Sequence, residues 1–203
     1  MAPIERSPAA DFKDRMGEIR RAADRDAPLL AELGARTFYE AYLADNAPED
    51  MDAYVRENFT PEQQARELAD PAVTYLVAFV SGRAVAYAKL RVSEVPPCVT
   101  GPRPVEVARL YVAKEEHGKG VAHVLFQACF DEARRAGHET LWLQVWDRNP
   151  RARAFYRKWG LEDVGEMAFL LGSELQSDRV LVKAIQRPPL PRRAGEGVPA
   201  PAP

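Results

Sequence analysis

From Leu29 the apolar positions recur at helical spacing through Leu30, Leu33, Thr37, Phe38, Ala41 and Tyr42, which predicts an amphipathic helix. Asp24 and Asp26 mark its start, and Pro28 falls in its first turn, where a missing N–H costs nothing. A short strand over 19–22 precedes it, and short helices over 48–58 and 61–69 follow, each opening at a proline. Beyond Pro71 the pattern becomes β-rich. The runs 73–80 and 84–92 are predicted strands, joined by Ser81-Gly82, a tight-hairpin signal. A loop over 96–104 leads into a strand over 105–112. Val121, Val124, Leu125, Ala128 and Cys129 then lie along one stripe of a helix that Gly137 stops. A strand over 141–146 precedes a helix capped by Asn149, opened by Pro150 and ended at Gly160. Strands over 164–170 and 179–185 close the series. This order predicts an α+β (mixed α/β) domain with helices on both faces of its sheet, without the strict alternation of a dinucleotide-binding domain.

Neither end shares this periodicity. Residues 1–17 mix proline, alanine and charges, and residues 187–203 are proline-rich, so both are expected to be disordered tails around a domain over 18–186. A net charge of −2 leaves no electrostatic footprint for nucleic acid or anionic membrane, although arginine outnumbers lysine by 22 to 6. Two cysteines, Cys98 and Cys129, make no disulfide framework, and no Cys/His cluster has metal-site spacing. No apolar run reaches membrane-spanning length and no secretory core stands at the N-terminus, so a cytoplasmic location is expected.

The chemistry concentrates where the strand over 105–112 turns through His117-Gly118-Lys119-Gly120 into the helix at Val121 and Ala122. A helix entry presents backbone N–H groups without intrahelical partners and the positive end of the helix dipole, which together suit a phosphate. The run lacks the hydroxyl and spacing of a P-loop and the third small residue of the dinucleotide fingerprint. It fits the shorter Gln/Arg-x-x-Gly-x-Gly/Ala pattern, with His117 in the Gln/Arg position and Gly120 and Ala122 as the small residues. Taken alone, a plain glycine-containing helix entry is an alternative. Twenty-seven residues beyond Ala122 comes Asn149-Pro-Arg-Ala152-Arg-Ala-Phe155-Tyr156. Phe155 and Tyr156 are adjacent on this helix, so only one of them can be fully buried.

These two motifs, in this order, resemble the GCN5-related N-acetyltransferases, which move an acetyl group from acetyl-coenzyme A to a primary amine. The resemblance implies a mostly antiparallel central sheet with a splayed fourth and fifth strand. It implies a bulge on the strand over 105–112, a pantetheine arm held by the backbone of Leu110, Tyr111 and Val112, and a pyrophosphate cradled by N–H groups from His117 through Ala122. Lys119 is either a charge for that phosphate or a solvated loop residue. Asn149, Ala152, Phe155 and Tyr156 complete the expected cofactor site. No metal is expected.

Acetyl transfer needs a proton removed from the amine, an oxyanion stabilised and a proton given to the leaving thiol. Tyr156 stands where the family places a tyrosine near the coenzyme A sulfur, and a backbone N–H around Val112 is the expected oxyanion donor. Glu106, a carboxylate in an apolar strand, is the expected base. By simple alternation it shares a face with Ala108 and Leu110. Pairing with Arg109 or Lys89, or exposure at the strand's start, is its other reading.

The acceptor half, including Thr37-Phe38, Asn46-Ala-Pro48-Glu49, Tyr54 and Glu67-Leu68, is similar to a bacterial branch of spermidine/spermine acetyltransferases linked to protease production and sporulation. The likeness continues through Trp142-Leu-Gln-Val-Trp146 and Glu174-Leu-Gln176-Ser-Asp178. It implies a polyamine acceptor, with Glu40, Asp45, Glu49, Trp142 and Trp146 as candidate contacts, unless those acids are solvated and those tryptophans are core. Another small amine, an amino acid or a protein N-terminus is the alternative acceptor. A catalytically silent coenzyme A-binding module is the alternative function, and a monomer or homodimer the expected assembly.

Overall fold

The helical spacing from Leu29 becomes α1 (Ala27–Tyr42), and the two proline-opened segments become α2 (Pro48–Asn58) and α3 (Pro61–Ala69). Each starts with proline in its first turn, and Thr60 caps α3 by accepting from the Gln63 N–H. The computed structural model describes residues 12–15, 17–171 and 174–185. The tail expectations for residues 1–11 and 187–203 lie outside those. Within the expected N-terminal tail, Phe12 is buried in the main core, and β1 (Gly17–Arg21) begins earlier than the predicted strand.

Strands β2 (Val73–Val80) and β3 (Arg83–Arg91) form the predicted hairpin, with Ser81 and Gly82 both at positive φ. β4 (Pro104–Val112) and α4 (Val121–Arg135) frame the glycine turn. β5 (Thr140–Trp146), α5 (Pro150–Lys158), β6 (Glu162–Leu171) and β7 (Glu174–Ala184) complete the series. β7 begins five residues before the predicted strand. Its first half is the polar run Glu174-Leu-Gln-Ser-Asp178, held in place by pairing with 167–171 of β6 and not by apolar alternation.

The sheet order is β1-β2-β3-β4-β5-β7-β6, and every neighbouring pair is antiparallel except the parallel β4 and β5. α4 and α5 cover one face, where Leu125, Phe126 and Tyr156 pack on Ala78, Ala86, Val107 and Leu143. On the other face Leu30, Phe38, Met51 and Phe59 pack on Tyr75, Val77 and Tyr87. Two irregularities on β4 position the site. Lys89 pairs with Arg109 while Leu90 pairs with Val107, so Ala108 is the extra residue of a β-bulge. Pairing of β4 with β5 runs only from Pro104–Thr140 to Glu106–Trp142 and then stops. The expected splay is therefore present.

Candidate active site

Past Glu106 the opening between β4 and β5 forms a groove of about 420 Å³, lined by Leu110, Tyr111, Val112, His117, Ala122, Asn149, Ala152, Phe155 and Tyr156 among others. The Ala113 N–H donates to Val85 O on β3 (2.8 Å). By the alternation of an antiparallel ladder, the backbone groups of Tyr111 also serve β3, and those of Leu110 and Val112 turn toward the opening. The expectation of three consecutive backbone contacts therefore narrows to Leu110 and Val112, with Tyr111 contributing its side chain to the wall.

The turn into α4 leaves backbone donors unused. Gly118 (φ 77°) and Gly120 (φ 81°) are both left-handed, and Gly120 stands at the N-cap. His117 N–H donates to Lys114 O (3.2 Å) and Lys119 N–H to Glu116 O (3.4 Å), so these two are spent on the turn itself. The N–H groups of Gly118, Gly120, Val121 and Ala122 donate to no protein acceptor among the described residues. The unused donors are thus discontinuous and do not make the full run expected from His117 to Ala122. Four free donors at a helix entry beside an open groove fit a pyrophosphate. We expect Gly120→Ala to raise the KM for acetyl-coenzyme A several-fold, because a Cβ at this φ costs roughly 1 kcal/mol and displaces the donors. Titrating initial rate against acetyl-coenzyme A checks this.

His117 turns back instead of outward. Its Nε2 donates to Val112 O (2.8 Å), and Arg151 Nη1 donates to its Nδ1 (2.8 Å), a pattern that assigns the neutral ring with its proton on Nε2. The histidine therefore ties the turn to β4 and draws Arg151 to the groove's rim. Lys119 pairs with Glu116 (3.6 Å) and is not among the residues lining the groove.

On α5, Asn149 Oδ1 accepts from the Ala152 N–H (3.0 Å) and caps the helix. Of the adjacent rings, Tyr156 is the buried one and Phe155 is half-buried; both lie against Phe126. Burial pushes the Tyr156 phenol well above its ordinary value, so it keeps its proton at neutral pH.

A second cavity of about 440 Å³ adjoins the first and shares Tyr42, Ala108, Arg109, Tyr111, Gln144 and Trp146 with it. Phe38, Tyr54 and Phe169 add aromatic walls. Glu106 lies here, buried, but both oxygens are taken: Arg91 donates from Nε (2.6 Å) and Nη2 (3.1 Å), and Ser93 Oγ donates as well (2.7 Å). Its partner is thus Arg91, neither Arg109 nor Lys89. The bulge at Ala108 also overturns simple alternation. Glu106 shares its face with Arg109 and Tyr111, while Leu110 packs into the core on the opposite face.

Lys89 (2.8 Å) and Arg109 (3.5 Å) converge on Glu67 Oε2, which also accepts from the Tyr75 hydroxyl, while Gln63 Nε2 donates to Glu67 Oε1 (3.0 Å). Burial, then repulsion by Arg109, lowers Lys89 to about 8. Arg109 lies over the Phe59 ring at 4.7 Å. On the facing wall Asp178 of β7 is buried, and its Oδ1 has no hydrogen-bond partner. Burial raises this carboxyl to about 6.

No local sequence pattern marks Asp178 as a cavity residue, because it falls in the polar half of β7. Of the polyamine candidates, Glu40, Asp45 and Trp146 come together on the first cavity and the other two do not. Glu40 and Asp45 line the first cavity, Glu49 is exposed on α2, and Trp142 packs in a small core with Val99 and Val180. Only Trp146 reaches the second cavity. Among the described residues no group of three His, Cys, Asp or Glu side chains could hold a metal ion, and no helix is long and apolar enough to cross a membrane.

A splayed strand pair, a glycine turn with unused backbone donors and Tyr156 in the lining of the groove are the arrangement that the resemblance implies for an acetyl-coenzyme A-dependent transferase. The chain belongs to the acetyltransferase (GNAT) family, whose model matches residues 35–161. It is 35% identical over 161 residues to an uncharacterized N-acetyltransferase of Mycobacterium tuberculosis, covering 79% of this chain and 98% of the relative. An uncharacterized N-acetyltransferase from the pepI 3' region of Lactobacillus delbrueckii subsp. lactis is 29% identical over 168 residues, covering 83% of this chain and 97% of the relative. The fold is similar to a crystal structure of the PaiA N-acetyltransferase of Thermoplasma acidophilum in complex with coenzyme A. That match has a TM-score of 0.68 and 19% identity, and covers 83% of this chain and 98% of the other. The enzyme is therefore an N-acetyltransferase with acetyl-coenzyme A as cosubstrate.

Proposed function

We propose that the acceptor is a primary amine seated in the second cavity, and that transfer proceeds by direct attack in a ternary complex where the two cavities meet. The observation that carries this reading is Asp178, a buried carboxyl with an unpartnered oxygen, in the cavity that shares Gln144 and Trp146 with the groove. Acetyl-coenzyme A supplies the activated acetyl group. Leu110 and Val112 hold its arm through their backbone groups, and the Gly118, Gly120, Val121 and Ala122 N–H groups hold its pyrophosphate. The Val112 N–H is the donor to the developing oxyanion.

Asp178 takes the proton from the ammonium. A carboxyl near 6 is ionised at neutral pH yet basic enough to accept it. Glu106 is the poorer base, since both its oxygens are already occupied by Arg91 and Ser93. Tyr156, protonated by virtue of its burial, donates to the departing thiolate. The aromatic walls suit an ammonium, and Asp178 offers one counter-charge for it. A polyamine acceptor rests on the resemblance of the acceptor half alone.

Tyr156→Phe is expected to lower kcat by about ten-fold or more with little change in acetyl-coenzyme A affinity, as loss of a general acid should. Free-thiol release and a binding titration measure the two quantities. Wild-type turnover in the variant would remove the acid assignment. Tight coenzyme A binding by the wild-type protein with no thiol release on any amine would favour a regulatory module instead.

A further inference from the structure

The charges lining the second cavity balance in number but not in place. Three cations face it, Lys89, Arg91 and Arg109, with three acids, Glu67, Glu106 and Asp178. Arg91 and Glu106 satisfy each other in a bidentate pair closed by Ser93. Lys89 and Arg109 share the single carboxylate of Glu67, so one positive charge is left over on the β3–β4 wall. Both cations are nearly sealed from solvent, with side-chain exposures of 7% and 10%. Asp178 stands on the other side, on β7, with the open end of β5 between. Its own charge is left over in the opposite sense.

A desolvated surplus charge is costly unless a partner arrives to meet it. An acceptor with an ammonium alone would satisfy Asp178 and leave the Lys89–Arg109 side unmet. A polyamine would add like charge there. We infer that the acceptor is an amine that also carries an anionic group, with the ammonium at Asp178 and the anion at Lys89 and Arg109. The inference rests on the reading that the amine occupies this cavity, and it names the chemistry of the rest of the acceptor. The planar guanidinium of Arg109, fixed over the Phe59 ring, suits a carboxylate or phosphate, and Lys89 adds a point charge beside it. The groove for acetyl-coenzyme A is separately provided with its anion donors at the glycine turn, so this cationic pair has no phosphate of the cosubstrate to serve.

The test is initial-rate thiol release by the full chain with four acceptors at matched concentrations: butylamine, γ-aminobutyrate, aminopropyl phosphate and spermidine. The expected result is a kcat/KM for at least one of the anion-bearing amines about ten-fold or more above that for butylamine and spermidine, the size of one desolvated charge-assisted contact. Which of the two anions is preferred distinguishes a carboxylate from a phosphate. Lys89→Met keeps the length of the stem and leaves Glu67 paired with Arg109. It is expected to reduce the ratio between the preferred acceptor and butylamine by about five-fold or more. Butylamine or spermidine turned over as well as both anion-bearing amines would overturn the inference while leaving amine transfer intact. An unchanged ratio in Lys89→Met would overturn the assignment of the anion to this pair. No thiol release with any of the four, while coenzyme A still binds, would remove the transfer reading and the inference with it.

Discussion

Asp178→Asn is expected to lower kcat/KM about a hundred-fold while raising the melting temperature at pH 8. The activity loss follows from removing the proton acceptor, an effect of roughly 10²- to 10⁴-fold in acid–base catalysis. The stability gain follows from linkage. The carboxyl sits at about 6 in the folded state against an ordinary 3.8, raised by burial. Its favourable contribution is therefore full below the ordinary value and is lost as the pH rises through about 6. At neutral pH the folded state carries a penalty approaching 3 kcal/mol, which the neutral amide removes. For a chain of this size that corresponds to several degrees. The gap between variant and wild type should close as the pH is lowered toward 4. Wild-type kcat/KM should also show an acid limb near pH 6 that the variant lacks. Thermal melts across pH and rate profiles of the two proteins check both halves. Undiminished turnover in Asp178→Asn, or a lower melting temperature at pH 8, would remove Asp178 as the base.

Glu67→Gln is expected to be the most destabilising conservative change at the site, by about 3–5 kcal/mol, because it strands two buried cations. Lys89 and Arg109 both lean on this carboxylate, and Tyr75 and Gln63 orient it. Lys89 is already lowered to about 8 from 10.5 by burial and by Arg109. A base lowered on folding binds fewer protons folded than unfolded, so stability rises with pH between the two values. Removal of Glu67 lowers Lys89 further. Part of the deficit should then return as the pH is raised from 6 to 9. Urea unfolding at the two pH values measures it; a loss below about 1 kcal/mol would show the triad to be worth no more than a surface pair.

Helix punctuation made the cofactor half legible. Gly120 as a left-handed cap, Asn149 as a side-chain cap and Pro150 after it are local signals, and each takes its expected place. The acceptor half depends on register, which local patterns do not encode. The bulge at Ala108 turns Glu106 toward Arg109 and Tyr111 and away from Leu110, a change that alternation counted from Val105 does not contain. The pairing of Glu106 with Arg91 joins strands through that same register. Asp178 was hidden for another reason. It lies in a run of polar residues that pair by backbone with β6 and β5, so no hydrophobic period marks it as strand or as buried. His117 departs from the phosphate-turn pattern, standing where Gln or Arg is usual. Its bonds to Val112 and Arg151 show the ring acting as a brace between turn and strand.

The most direct test of a reaction centred on the splay is the crystal structure of a complex with coenzyme A. The pantetheine arm should lie between β4 and β5 against the backbone of Leu110 and Val112. The sulfur should face Tyr156, and the pyrophosphate should lie on the N–H groups of Gly118, Gly120, Val121 and Ala122. Coenzyme A bound with its sulfur outside the junction of the two cavities would contradict it.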